Sequence, residues 1–202
     1  MIEGFDGHVA TVWSEIRPTT RGLVERALQT THAASQPRNT PYDPRADVEL
    51  SRLLAALDDR AAEEAPSNES VNVDQLRHIA NICAAVLQEK TRSAEVFVQL
   101  IRRAEVQRDY ERIDALADAL TARFAPPEIC ELARSRDVIV RALAKETLAQ
   151  SPTSVLLSLL SDPVDSEIAR DALRRQAFEY GAEEARQILY ALDQVDLTGE
   201  DL

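Results

Sequence analysis

Ile129-Cys130-Glu131-Leu132-Ala133, Leu156-Leu157-Ser158-Leu159-Leu160 and Ala185-Arg186-Gln187-Ile188-Leu189 are three short stretches with apolar residues at i, i+3 and i+4. That spacing is one face of a short helix. The second stretch follows the first by 27 residues and the third follows the second by 29. Between them run longer helical patterns whose inner pairs also correspond, Leu116-Ala117, Leu143-Ala144 and Ile168-Ala169, offset by 27 and then 25. A long and a short helix therefore recur about three times. A helix pair of this size cannot enclose its own apolar stripe, and stacking on neighbours is the usual way to bury it. The spacing predicts an all-α fold, an α-α superhelix of helical hairpins.

The segment Arg136-Asp137-Val138-Ile139-Val140-Arg141-Ala142-Leu143-Ala144, with Leu148 one turn later, resembles the second half of a HEAT-like repeat. In that family an Asp, a Val-Arg pair and small Ala residues lead into a Leu. Leu159-Leu160-Ser161-Asp162-Pro163, followed by Ile168-Ala169 and Ala172-Leu173, is similar to a further copy. The period is shorter than the about 40–47 residues of HEAT units. In the 25-residue register the place of Arg141 falls to Ser166. The resemblance implies a scaffold that binds partners.

Composition sets the outer limits. A chain of 202 residues with 45% hydrophobic content can bury a sizeable core. No apolar run approaches the ~20 residues of a membrane span. Glu3 and Asp6 precede any basic residue, unlike the start of a secretory signal, so the expected location is the cytoplasm. The two cysteines, Cys83 and Cys130, each sit in an apolar helical pattern and read as small hydrophobes rather than a disulfide framework. The net charge of −12 repels polyanions at long range, so nucleic acid is a poor first partner. From Gln176 to Leu202 seven acidic residues face one basic residue, Arg186. Only Lys90 and Lys145 of the 23 basic residues are lysine and Ala is abundant, the bias of a GC-rich coding sequence, which points to a bacterial source.

Residues 1–64 read as N-terminal helices, an appendage to the array. Phe5, Val9, Val12, Trp13 and Ile16 form one stripe, closed by Pro18. A Trp on such a stripe belongs to a core more often than to a partner surface. The run 35–45 carries three prolines and reads as a long loop, before a helix from Asp47 to Ala62 with Leu50, Leu53, Leu54, Leu57 and Ala61 inward. Residues 65–73 read as a linker, and 74–202 as the helical-repeat domain. Within it, Asp74 and Ser93 are expected to cap helices. Tyr110, Ile113, Leu116, Leu120 and Phe124 share one helix, and Pro126-Pro127 starts the next. Ser151-Pro152 and Asp162-Pro163 read as helix starts, and Gly181 as a stop.

Catalytic constellations are sparse. His8, His32 and His78 are unpaired in sequence, and His78 and Cys83, five apart, point in different directions on a helix. No Gly-rich phosphate loop or nucleophile elbow occurs. The expectation is no cofactor and no metal. One acidic arrangement carries an alternative. Glu111-x-x-Asp114 and Glu128-x-x-Glu131 are similar to the carboxylate pairs with which all-α nucleotide pyrophosphatases hold magnesium, though in reversed order. Oxygen ligands near about 2.1 Å require the two faces to converge. Otherwise they are solvated faces balanced by Arg108, Arg112 and Arg134.

The favoured expectation is a non-catalytic protein-binding scaffold or adaptor, with another protein as partner. Binding on helical arrays is carried by exposed Arg, Tyr and Trp along a continuous surface. The candidate contacts are Arg103, Arg112, Arg141, Arg170 and Arg174. Alternatives are a magnesium-dependent phosphohydrolase using the helical carboxylates, and a DNA-binding array using the same arginines.

Overall fold

The computed structural model describes residues 7–30, 43–64 and 70–199, and among them it contains twelve helices and no strand. The all-α class is therefore correct. No helix among the described residues is long and apolar enough to cross a membrane. The chain divides into two compact units, Met1–Leu100 and Ile101–Leu202.

The first unit contains α1 (His8–Glu15), α2 (Pro18–Thr30), α3 (Pro44–Glu64), α4 (Ser70–Lys90) and the opening turns of α5 (Ala94–Gln107). α3 packs on α4 and α1, and α2 packs on α4 and α3. The inward stripe of α3 is the one its spacing predicts: Leu50, Leu53, Leu54, Leu57 and Ala61 are all buried, with Leu76, Ile79, Cys83 and Leu87 of α4. Each fully buried leucine contributes roughly 1.5–3 kcal/mol. Trp13 is core, as expected, with the Arg21 guanidinium 5.6 Å from its ring centroid.

Two boundaries differ from expectation. α3 begins at Pro44 rather than Asp47, because Pro is accommodated at a first helical position and the Asp43 carboxylate accepts from the Arg45 amide at 3.0 Å. Of the expected loop, residues 35–42 lie outside the described residues. The expected division at 65–73 falls between α3 and α4, which pack on one another within a single unit; the apolar faces of both helices outweigh the polar stretch between them. Residues 65–69 are likewise outside the described set, and Asp74 lies inside α4 rather than at its cap.

The second unit continues α5 and adds α6 (Tyr110–Asp118), α7 (Leu120–Arg123), α8 (Pro126–Ala133), α9 (Val138–Ala149), α10 (Thr153–Leu159), α11 (Ser166–Phe178) and α12 (Glu183–Gly199). α8 packs on α9 and α10 on α11; α9 also packs on α11, α8 on α10, and α12 on α11. Ser93 caps α5, its hydroxyl accepting from the Val96 amide at 3.4 Å. The helix expected from Tyr110 to Phe124 is broken at Ala119, and Tyr110 is exposed while Ile113, Leu116, Leu120 and Phe124 are buried. Pro126 and Pro127 open α8 as expected. Asp162-Pro163 does not start α11: Asp162 accepts from the Val164 amide at 2.8 Å in a turn, and α11 follows at Ser166. Ser151-Pro152 does precede a helix start: Pro152 stands at the N-cap position of α10, while the Ser151 hydroxyl donates back to the Thr147 carbonyl at 2.9 Å. Gly181, at φ 70°, ends the α11 segment and lets the Ala182 amide return to the Gln176 carbonyl at 2.9 Å.

Candidate functional site

The side chains that bury α9 and α11 set the register between them. Val140, Ala144 and Leu148 are buried on α9 and Ala169, Leu173 and Ala177 on α11, and the 25-residue offset read from the sequence pairs buried with buried, Ala144 with Ala169 and Leu148 with Leu173. Arg141 and Lys145 on α9, and Arg170 and Arg174 on α11, each stand one residue past one of these buried positions. Of these four cations the structure brings Lys145 and Arg174 together.

Lys145 and Arg174 line a cleft of about 230 Å³ between α9 and α11, together with Leu148, Ile168, Asp171, Ala172 and Arg175. Arg174 pairs with Asp171 at 2.9 Å, one helical turn away, and its side chain is 51% exposed, so water screens this pair heavily. Lys145 has no hydrogen bond or ion pair among the described residues. Arg175 is differently placed. It spans α11 and α9 through Glu146 at 2.6 Å and also reaches Glu179 at 3.1 Å. Glu146 additionally accepts from the Tyr180 hydroxyl and from the Gln150 amide. These hydrogen bonds, Tyr180 first, then Gln150 and Arg175, hold the Glu146 carboxyl below the usual range. The same contact raises the Tyr180 phenol. Glu146 thus welds the two helices at the end of α11, where Phe178 is 77% exposed and Tyr180 half exposed. Phe178 follows Arg174 by four residues and lies on the same side of α11.

The other expected contacts are distributed differently. Arg103 is only 8% exposed and its guanidinium donates to Gln107 at 3.3 Å, which removes it from a contact surface. Arg112, half-buried on α6, does not line the cleft. Arg141 donates to the Ser135 carbonyl at 2.7 Å and the Arg136 carbonyl at 3.4 Å, so one of its nitrogens holds the turn between α8 and α9. Arg170 is half-buried on α11. Of the five, Arg174 is the one that lines the cleft between α9 and α11. Sequence reading missed Lys145, Phe178 and Tyr180. Phe178 could have been found from its register: it stands immediately beside the buried stripe Ala169, Leu173 and Ala177 rather than on it.

The carboxylates Glu111, Asp114, Glu128 and Glu131 are all exposed, and Glu128 accepts from the Ala125 amide at 2.7 Å, capping α8. Among the described residues no three His, Cys, Asp or Glu side chains gather as a metal site. Cys130 is buried, and its thiol is pushed up to about 11 by burial and by the nearby Asp165 carboxylate, which leaves it a poor nucleophile. At the cleft Arg174 is exposed and Lys145 half-buried, with the exposed Phe178 ring one turn beyond Arg174 on α11.

No protein-family model matches the chain, and neither the curated proteins nor the solved structures contain a significant match.

Proposed function

We propose that the second unit is a HEAT-like stack of helical hairpins and serves as a non-catalytic, cytoplasmic scaffold that binds another protein along the α9–α11 flank. The observation that carries this reading is the cleft that Lys145, with no ion pair among the described residues, shares with Arg174, on a chain whose net charge is −12. A chain so acidic gains nothing for solubility from two cations gathered at one cleft. Electrostatic complementarity to an acidic partner accounts for it. Phe178 and Tyr180 supply the aromatic anchors in which interface energy concentrates. The packing of α9 on α11 and of α8 on α10 supports a hairpin stack. Cys83 and Cys130, both buried and outside any disulfide, fit a reducing compartment.

The test is capture of crosslinked partners from source-cell extract by the full chain, compared with Lys145→Glu/Arg174→Glu and, separately, Phe178→Ala. A partner lost from both variants while circular dichroism and the thermal melt stay unchanged supports the reading. The same partner retained by both variants ends it. Arg141 is a poor site for this experiment, because reversing its charge also removes the hydrogen bonds to the α8–α9 turn.

A further inference from the structure

The first unit contains a second cleft, of about 340 Å³, within the size range of small-ligand sites. Its walls come from α2, α3 and α4. Pro18, Leu23, Ala46, Leu50 and Val86 make the lining largely apolar. Two acidic residues border it, and both are engaged by their own unit. Asp43 pairs with Arg17 at 2.9 Å, and the buried Asp47 carboxylate accepts from the Thr91 hydroxyl at 2.7 Å. Lys90, half-buried in the last turn of α4 and one turn beyond Val86, has no hydrogen bond or ion pair among the described residues. The cleft therefore combines an apolar floor with an uncommitted cation.

Gly22 is the second observation. It lies inside α2 and lines the cleft, and a Cβ there would meet nothing within 4 Å. No close approach of another element requires a glycine at this place, yet glycine weakens a helix interior relative to alanine. What its missing side chain preserves is open volume in the cleft.

We infer that this cleft binds a small anionic amphiphile, a carboxylate with a short aliphatic tail, with the tail between α2 and α3 along Gly22, Leu23 and Leu50 and the carboxylate on the Lys90 ammonium. This site is independent of the α9–α11 flank. Each further buried methylene tightens binding by about fourfold until the cleft is full, so octanoate binds more tightly than hexanoate by more than tenfold.

Lys90 and Lys145 are the only lysines in the chain, which makes the test direct. Reductive methylation with labelled formaldehyde keeps the charge and gives each lysine an NMR signal, assigned by its loss in Lys90→Met. Titration of the full chain with octanoate shifts the Lys90 signal saturably and leaves Lys145 unmoved. By calorimetry, octanol and the Lys90→Met variant each bind at least tenfold more weakly than octanoate binds the unaltered chain. Gly22→Leu abolishes octanoate binding while its thermal melt is native or higher, which separates a filled cleft from a damaged fold. Absence of a saturable Lys90 shift, equal affinity for octanol, or undiminished octanoate binding in a folded Gly22→Leu variant would each overturn the assignment.

Discussion

At the scale of single residues, Arg108 is the most informative departure from ordinary backbone. Its φ is 56°, in the left-handed region, and it ends α5 where a glycine normally stands. The Asp109 amide returns to the Ala104 carbonyl at 2.9 Å and the Arg108 amide to Glu105 at 2.9 Å. A side chain in that conformation costs about 1–2 kcal/mol, part of which glycine gives back through its more flexible unfolded chain. Arg108→Gly is expected to raise unfolding stability by about 0.5–1 kcal/mol in urea melts. A loss of stability would mean that the Arg108 side chain contributes more than the strain it bears. Gly181 performs the same turn at the end of the α11 segment and was legible because glycine marks it. Nothing in the sequence around Arg108 announces a left-handed residue.

At the scale of elements, Asp137 holds together more than its own helix. Its carboxylate accepts from the Ile139 and Val140 amides at 3.1 and 3.2 Å, capping α9, and also from Arg102 of α5 at 2.9 Å. Burial raises its pKa, yet the Arg102 and amide hydrogen bonds overcome this and hold the carboxyl below the usual value. A depressed folded pKa gives stability that is complete above the unfolded value, about 3.9, and is lost as pH falls through the folded value. Asp137→Asn is expected to lower the melting temperature at pH 7 and to show a flatter loss of stability below about pH 4 than the unaltered chain. Parallel curves would exclude this carboxylate as a source of the acid sensitivity. α8 and α9 were legible because their apolar spacing is regular and Asp137 caps α9 as an Asp should. The inner pair of α11 was legible as well, since Ala169 is buried as Ala144 is.

At the scale of the whole molecule, charge dominates the expectations. With 35 acidic and 23 basic side chains the folded chain repels itself, and ion pairs such as Arg102–Asp137 and Arg134–Asp165 offset this only locally. Raising salt from about 20 mM to about 0.5 M, where screening reaches within a few Å, is expected to raise the melting temperature measured by calorimetry. A fall would show that the ion pairs outweigh the repulsion. The all-helical class was legible from spacing alone, whereas the division into units was not. The polar residues around Pro66 look like a linker, and only the packing of α3 on α4 shows that both belong to one unit. The two clefts, one in each unit, escaped notice because a lysine's lack of partners is a property of packing. Their shared chemistry has a practical consequence: an acetyltransferase acting on side-chain amines would find two targets here, Lys90 and Lys145. Acylating either would erase charge at a cleft while leaving the arginine ion pairs untouched, so such an enzyme could silence one surface or the other without loosening the helices beneath.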